Sequence, residues 1–534
     1  MFGKKTRQTP QPTQTAERAP VLPVTARIAR RVLFTVALSW LASTSGGAQL
    51  SDVSSASGTA NSGLYSPGFA WGDYDADGDL DLYVTNWATA VSVPANKLLN
   101  NDGTASFTDV AASLGVDNDQ NSINANWADY DNDGDLDLYV VDFYDQDYLY
   151  QSQSGSAFTE VGRSQQLVNL IKAGNETSAA FGDVDNDGWL DLYIGKFYHD
   201  NELYVSRGDG TFDRVDDLGV GDRRDTAGFD FVDMDNDGDL DLYVVNRDQE
   251  NALFRNDLTD GGTFAEIACA LSVANTEIGQ AGAWADYDND GDLDVYVANV
   301  GANALYRNDG GTAFVNVAAE ANVAQSGSGW LTAAAAWADY NGDGYPDLYL
   351  ASGGDEQFQP DALFAGGAAG VFADSTASAG LPTSTTAQLA TGWADFDGNG
   401  TPDLYATNGF GPWGPGNRLF SNNRDGTNFL RVLVRGRGPE NGGANLAAIG
   451  AQVRLIDAAS NDTVAYQQVL PRTAVIRTIE SDGVTGIASE IIFGAPAGPY
   501  NVHVRFPGNA VPITQGVFEG GELVIIDEEV FDAP

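Results

Sequence analysis

Residues 129–140 read DYDNDGDLDLYV. The first nine follow the pattern D-x-D-x-D-G-x-x-D, and the closing Leu-Tyr-Val has the apolar, aromatic and β-branched content of a strand. The pattern occurs six more times: DYDADGDLD from Asp73, DVDNDGWLD from Asp183, DMDNDGDLD from Asp233, DYDNDGDLD from Asp286, DYNGDGYPD from Asp339 and DFDGNGTPD from Asp395. Successive copies start 50 to 56 residues apart. A period near 50 is long for a solenoid unit and suits a propeller blade of four short strands.

The text around each copy keeps one grammar. Two residues before the first Asp stands an aromatic: Trp71, Trp127, Phe181, Phe231, Trp284, Trp337 and Trp393. These are read as core residues of strand one. Leu at the eighth position (Leu80, Leu136, Leu190, Leu240, Leu293) is expected to plug the blade core. Strand two follows the acidic pattern, as in Leu82-Tyr83-Val84; strand three reads NALFRN from Asn251 or NALYRN from Asn303; strand four opens on a Phe, as at Phe107 and Phe314. After the seventh copy the fourth strand is missing, while Leu50-Ser51-Asp52-Val53 ahead of the first copy matches fourth-strand text. The amino-terminal segment is therefore expected to complete the seventh sheet and close the ring, which removes exposed sheet edges. The fold class predicted is all-β: a seven-bladed β-propeller over residues 49–423, followed over 424–534 by a small antiparallel β-domain. The latter rests on alternation at Leu430, Val432, Val434 and at Val502, Val504, Phe506.

The repeated acidic pattern is read as a cation loop. A glycine at the sixth position lets the chain turn sharply enough for carboxylates to converge, and a hard cation such as Ca²⁺ takes six to eight oxygens. The first-position ligands are Asp73, Asp129, Asp183, Asp233, Asp286, Asp339 and Asp395; the third-position ligands are Asp75, Asp131, Asp185, Asp235, Asp288, Asn341 and Asp397. The fifth position holds Asp77, Asp133, Asp187, Asp237, Asp290, Asp343 and Asn399, and the ninth Asp81, Asp137, Asp191, Asp241, Asp294, Asp347 and Asp403. The seventh position contributes a backbone carbonyl from Asp79, Asp135, Asp239, Asp292, Trp189, Tyr345 and Thr401. Up to seven Ca²⁺ ions are expected. Asn341 and Asn399 each replace a carboxylate, so the sixth and seventh loops are expected to empty first. The beginning of the pattern is similar to an EF-hand loop, but the last acid falls at nine and a strand follows, which argues against a helix-loop-helix.

On these residues the repeats resemble FG-GAP or VCBS repeats, the calcium-bearing blades also found in the integrin alpha headpiece, over about residues 48–423. Residues from Asn428, with Asn445, Ile449, Gly450, Ala451, Val453 and Pro507-Gly508, resemble the ASPIC/UnbV domain that follows such repeats in relatives of cartilage acidic protein. The resemblance implies calcium-stabilised blades and a β-rich carboxy-terminal domain.

The chain of 534 residues has 75 acidic and 27 basic side chains and a formal charge of -48. That charge excludes nucleic-acid backbones and anionic lipid surfaces as partners. One cysteine, Cys269, rules out an internal disulfide and is expected to be buried and inert; His199 and His503 are the only histidines. Residues 1–48 combine a basic lead, the apolar run Val32 to Ala42 and small residues ending at Ala48, as a secretory signal peptide does. An uncleaved anchor is the alternative. A secreted, extracellular or periplasmic location follows, with no stable membrane insertion after cleavage. Aromatics that do not follow the repeat, Trp87, Phe143, Tyr144, Phe197, Tyr198, Trp330, Phe358, Phe410 and Trp413, fall on the rim opposite the acidic loops, with His199 beside them. They mark a recognition surface for an extracellular protein or glycan. The expected function is a recognition or adhesion scaffold without catalysis. The alternatives are an extracellular enzyme acting on carbohydrate or ester, against which no Ser-His-Asp, Cys-His or zinc array is found, and a structural subunit of a cell-envelope complex.

Overall fold

The computed structural model describes residues 49–528, except 89–92, 168–174, 260, 326–329, 354–358, 385–386, 410–415, 440–442, 472–474, 482–483, 496–497 and 508–511. The predicted leader, Phe358, Phe410 and Trp413 lie outside the described residues.

The chain is all-β, built from repeated four-stranded antiparallel sheets of the propeller kind. In the first repeat the strands are Phe69–Gly72, Asp81–Val84, Lys97–Asn101 and Phe107–Asp109. The second repeats the plan with Ser122–Ala128, Asp137–Asp142, Tyr148–Ser152 and Phe158–Glu160, in a register that sets Trp127 opposite Leu138 and Leu138 opposite Tyr150. The last repeat has only three strands of its own, and Leu50–Asp52 supplies the fourth by pairing antiparallel with Arg418–Asn422. The two ends of the array thus share one sheet, as the missing fourth strand in the sequence predicts.

Neighbouring sheets meet through one recurring contact. The aromatic of strand one stacks on the second residue of the acidic loop in the preceding repeat: Trp127 on Tyr74 at 6.1 Å, Trp393 on Tyr340 at 6.3 Å, and, across the closure, Trp71 on Phe396 at 6.4 Å. Five of the seven aromatics are buried and Trp337 and Trp393 are half-buried; Leu80, Leu136, Leu190, Leu240 and Leu293 are all buried. The Tyr of each Leu-Tyr-Val strand is also buried, and its hydroxyl is satisfied, Tyr83 donating to the Val116 carbonyl at 2.8 Å and Tyr296 to that of Val323 at 2.7 Å. An unsatisfied phenol there would cost about 1–3 kcal/mol.

Asparagines at the end of strand three stitch the repeats together. The Asn256 amide donates to the Leu240 carbonyl of its own loop and, at 2.7 Å, to Val184 of the preceding repeat. Asn308 and Asn422 do the same towards Met234 and Tyr340, and Asn101 reaches Phe396 at 3.0 Å across the closure.

Two expectations are corrected. Cys269 is exposed, because the chain after the fourth strand turns into a one-turn helix, Ala268–Leu271, whose buried member is Ala268. The carboxy-terminal strands are not purely antiparallel. Phe429–Arg435 pairs antiparallel with Val484–Gly494 but parallel with Leu523–Asp527. The intervening chain, which forms a second sheet of Thr463–Gln468, Gln452–Asp457, Tyr500–Arg505 and Ile513–Phe518, provides the long crossover that parallel pairing needs. Val475–Ser481 also joins the first repeat directly, by a parallel bridge between Ile476 and Gly72.

Candidate functional site

Each acidic loop connects strand one to strand two, and its conformation follows from three positions. The sixth-position glycines, Gly78 through Gly400, all have φ between +89° and +104°, a region closed to residues with a Cβ. The fourth position is left-handed as well, at Ala76, Asn132, Asn186, Asn236, Asn289, Gly342 and Gly398. Asn and Gly tolerate this conformation, which accounts for their prevalence there. With the chain so turned, the amide of glycine six donates to the first-position carboxylate in every loop, at 2.6 to 3.1 Å.

The carboxylates divide into classes. First- and ninth-position residues are buried in all seven loops, and the fifth-position side chains, Asp77, Asp133, Asp187, Asp237, Asp290, Asp343 and Asn399, are exposed. The ninth-position Oδ1 accepts an amide from strand three in every repeat, at 2.6 to 2.9 Å, so this residue also clamps the sheet. Oxygens of Asp73, Asp75 and Asp81 lie within 4.8 Å of one another, as do those of Asp129, Asp131 and Asp137, of Asp183, Asp185 and Asp191, of Asp233, Asp235 and Asp241, and of Asp286, Asp288 and Asp290. Several aspartate clusters can therefore hold a metal ion. The third-position Oδ1 atoms of Asp75, Asp131, Asp235 and Asp288 are buried with no hydrogen-bond partner in the protein, as are the first-position Oδ1 atoms of Asp233 and Asp395. Buried acceptors with no donor are costly, and an all-oxygen set of this kind suits a hard divalent cation such as Ca²⁺. Such an ion would supply the missing positive charge.

Electrostatics leads to the same requirement. Burial, with added repulsion from loop neighbours, pushes the carboxyl of Asp73 up to about 6, Asp183 to about 8, and Asp233 and Asp286 to about 7. Burial takes Asp81 up to about 9. Without a counter-charge these groups resist ionisation.

The sixth and seventh loops differ. Asn341 turns its amide into the sixth and donates to both oxygens of Asp347 at 3.2 Å. In the seventh, the Asn399 side chain is engaged by Thr401 and by the Asn422 carbonyl, and the Arg431 guanidinium lies 3.4 Å from Asp395 Oδ2.

The carboxy-terminal strands lie along this acidic rim, a placement the sequence does not reveal. Thr478 N donates to Asp73 Oδ2 at 3.0 Å, Gln452 Nε2 to Asp233 Oδ2 at 2.6 Å, Leu446 N to Asn132 Oδ1 at 3.2 Å, and Arg505 Nη1 to the Asn236 carbonyl at 2.8 Å. Tyr466, Leu470 and Phe493 from these strands line one end of a cavity of about 1380 Å³ whose walls are the first strands of the repeats. At its other end stand Trp87, Phe143, Phe197 and Arg247.

That second end carries the predicted aromatic surface. Trp87 packs against Phe143 and Tyr144 with ring centroids 5.3 Å apart in both cases, and Phe143 lies 4.9 Å from Tyr144. Phe197 adjoins Tyr198 and lies 5.6 Å under the Arg247 guanidinium. Tyr144 and Tyr198 are 52% and 67% exposed. Trp330 is half-buried and accepts from the Gly301 amide. His199 is exposed in a small recess with Arg223 and Lys196. Lys196 itself was not singled out by its sequence: it is 1% exposed, with Nζ 2.7 Å from Glu202 and 3.5 Å from Glu176. The signal for it was available, since Lys196 stands where other repeats have Asn86, Asn246, Asn299 or Asn408.

The FG-GAP-like repeat family matches residues 129–194, 183–244, 233–297, 286–350 and 339–406, a continuous stretch covering more than half of the chain. The chain belongs to the FG-GAP-like repeat family. Each match begins on the first aspartate of one acidic loop and runs into strand two after the next. No curated protein matches the FG-GAP-like chain. Among solved structures it is similar to an Agrocybe aegerita lectin described as recognising non-reducing terminal N-acetylglucosamine, at 16% identity over 62% of this chain and 86% of the lectin, with a TM-score of 0.39. It is also similar to YCF48 from Cyanidioschyzon merolae, at 9% identity over 68% and 94% of the two chains and a TM-score of 0.40. BBS1N, solved in complex with ARL6DN, is 13% identical over 68% and 93%, with a TM-score of 0.43. Among the described residues no helix is long and apolar enough to cross a membrane.

Proposed function

We propose that this protein is an exported, calcium-binding recognition scaffold: a seven-bladed propeller stiffened by Ca²⁺ in its acidic loops, with an ASPIC/UnbV-like carboxy-terminal domain over residues 424–534. The observation that carries the reading is the recurrence, loop after loop, of buried carboxylate oxygens with no protein donor. Ca²⁺ satisfies them and neutralises groups that burial otherwise holds protonated. In this reading the metal is structural, and the working surface is the opposite rim. There Trp87, Phe143 and Tyr144 form a compact aromatic patch beside the cavity mouth. Of these rings Tyr144 is exposed and Trp87 and Phe143 are half-buried, and flat rings so placed bind the faces of sugars or the apolar side chains of a protein partner. The partner is an extracellular protein or glycan, and the scaffold performs no catalysis.

Calorimetric titration of chelator-treated protein with Ca²⁺, followed by thermal melts, tests the metal part; saturable binding with a rise in melting temperature is expected. The surface is tested by glycan-array and envelope-fraction binding of the double variant Trp87→Ala, Phe143→Ala. Loss of binding with an unchanged calcium-dependent melt supports it. Unchanged binding sinks the surface assignment, and turnover of a polymer by the isolated protein sinks the non-catalytic reading.

A further inference from the structure

We infer that the sixth and seventh acidic loops take no metal, and that in the seventh the Arg431 guanidinium is the resident cation that fastens the carboxy-terminal strands to the ring. The inference rests on the calcium reading of the first five loops.

A carboxylate cluster needs positive charge or donors, and the protein can supply either. In the sixth loop the third-position residue is Asn341, whose amide donates to both oxygens of Asp347, 3.2 Å from each. The ninth-position carboxylate is further held by the amides of Gly366 and Tyr340. Donors thus stand where the other loops present an acceptor to the ion. The seventh loop uses a different device. Asn399 Oδ1 accepts from the Thr401 amide and its Nδ2 donates to the Asn422 carbonyl, so the fifth-position side chain is turned to the sheet. Asp395 is buried; Arg431 Nε approaches its Oδ2 to 3.4 Å, while its Oδ1 has no hydrogen-bond partner and is the oxygen that an ion would have to reach past the guanidinium.

Arg431 belongs to a built cluster. Its Nε and Nη2 also bind Glu490 Oε1, at 2.8 and 2.5 Å, and Glu490 Oε2 accepts from Arg477 Nε at 2.7 Å. Arg477 then reaches two loops at once, donating from Nη2 to the Asp395 carbonyl at 2.5 Å and from Nη1 to the Gly78 carbonyl at 3.2 Å. Glu490 and Arg477 are buried. The two guanidiniums offset Glu490 and Asp395 and leave Asp397 and Asp403 as the loop's remaining acids, so a divalent ion added beside Asp395 would meet two fixed positive groups. In the fourth loop the Arg505 guanidinium donates to the Asn236 and Asp237 carbonyls, whereas in the seventh Arg431 ion-pairs with the first-position carboxylate itself. The seventh loop is therefore an arginine socket, and the docking it provides does not depend on metal.

The test counts ions in the full chain. Chelator-treated protein is titrated with Tb³⁺ and with Ca²⁺, and lanthanide-soaked crystals of the unaltered protein locate the ions by anomalous scattering. Five ions are expected, in the loops opened by Asp73, Asp129, Asp183, Asp233 and Asp286. Asn341→Asp should raise the count to six. Arg431→Met should raise it to six by freeing Asp395, and Arg431→Lys should leave it at five. An ion found in the sixth or seventh loop of the unaltered protein overturns the inference, as does an unchanged count in a folded Asn341→Asp or Arg431→Met protein. If Arg431→Met does not fold, the anomalous map of the unaltered protein decides the seventh loop. Absence of ions from all seven loops defeats the underlying calcium reading instead, which keeps the two failures distinct.

Discussion

Stripping the metal should invert the usual dependence of stability on pH. A carboxyl whose folded-state pKa lies above its unfolded value of 3.8 holds its proton more tightly when folded. Its stabilising contribution is complete below pH 3.8 and is lost as pH rises through the folded value. Asp183, raised to about 8 by burial, and Asp233 and Asp286, raised to about 7 by burial, all belong to this group. Each such group tilts the stability curve by about 1.4 kcal/mol per pH unit. These three alone correspond to a slope of roughly 4 kcal/mol per unit between about pH 5 and 6, in the same direction as Asp81, raised to about 9 by burial, and loop relaxation brings the observed slope nearer that of one group. Urea unfolding of chelated protein from about pH 5 to 8 should therefore show a falling midpoint. Millimolar Ca²⁺ should abolish or reverse the trend, because ion and protons compete for the same oxygens. A chelated protein as stable at about pH 8 as at pH 5 would refute the claim that these buried carboxylates lack a counter-charge.

Other substitutions probe the frame. Asn256→Ala strands the Val184 and Leu240 carbonyls and should cost about 2–3 kcal/mol in urea unfolding. Lys196→Met removes the cation between Glu202 and Glu176, and about 3 kcal/mol should be lost, measured the same way. Ala76 is the only fourth-position residue that is neither Asn nor Gly, and its φ is +61°; Ala76→Gly should therefore stabilise by about 1 kcal/mol in a calcium-loaded melt.

Much of the frame was legible because it repeats. Seven copies in one register place Leu80 and its counterparts in the core, strand one ahead of Trp127, and strand four at Phe107, since strand alternation and turn glycines leave a local pattern. Even the closure by Leu50–Asp52 was readable, because a strand missing at one end of an array must be supplied from the other. Contacts between distant segments leave no such trace. The reach of Asn256 into the preceding repeat, the Arg431–Glu490–Arg477 cluster over the seventh loop, and the parallel pairing of Phe429–Arg435 with Leu523–Asp527 join residues with no shared periodicity. Within the acidic loops, residue type alone did not separate the exposed fifth position from the buried first and ninth. That division is set by two left-handed residues, of which only the glycine carries an unambiguous signature. Cys269 was misjudged because a hydrophobic-looking segment hid a one-turn helix with a single inward position.

The pairing of Leu50–Asp52 with Arg418–Asn422, and the reach of Asn101 to Phe396, has a consequence for how the molecule is made. Among the first of the described residues to leave the ribosome is a strand whose neighbour is among the last of the array. That strand stays without its sheet until almost the whole wheel has been synthesised. The intervening sheets of the ring draw their strands from contiguous stretches of chain, so only this last sheet waits until tail meets head.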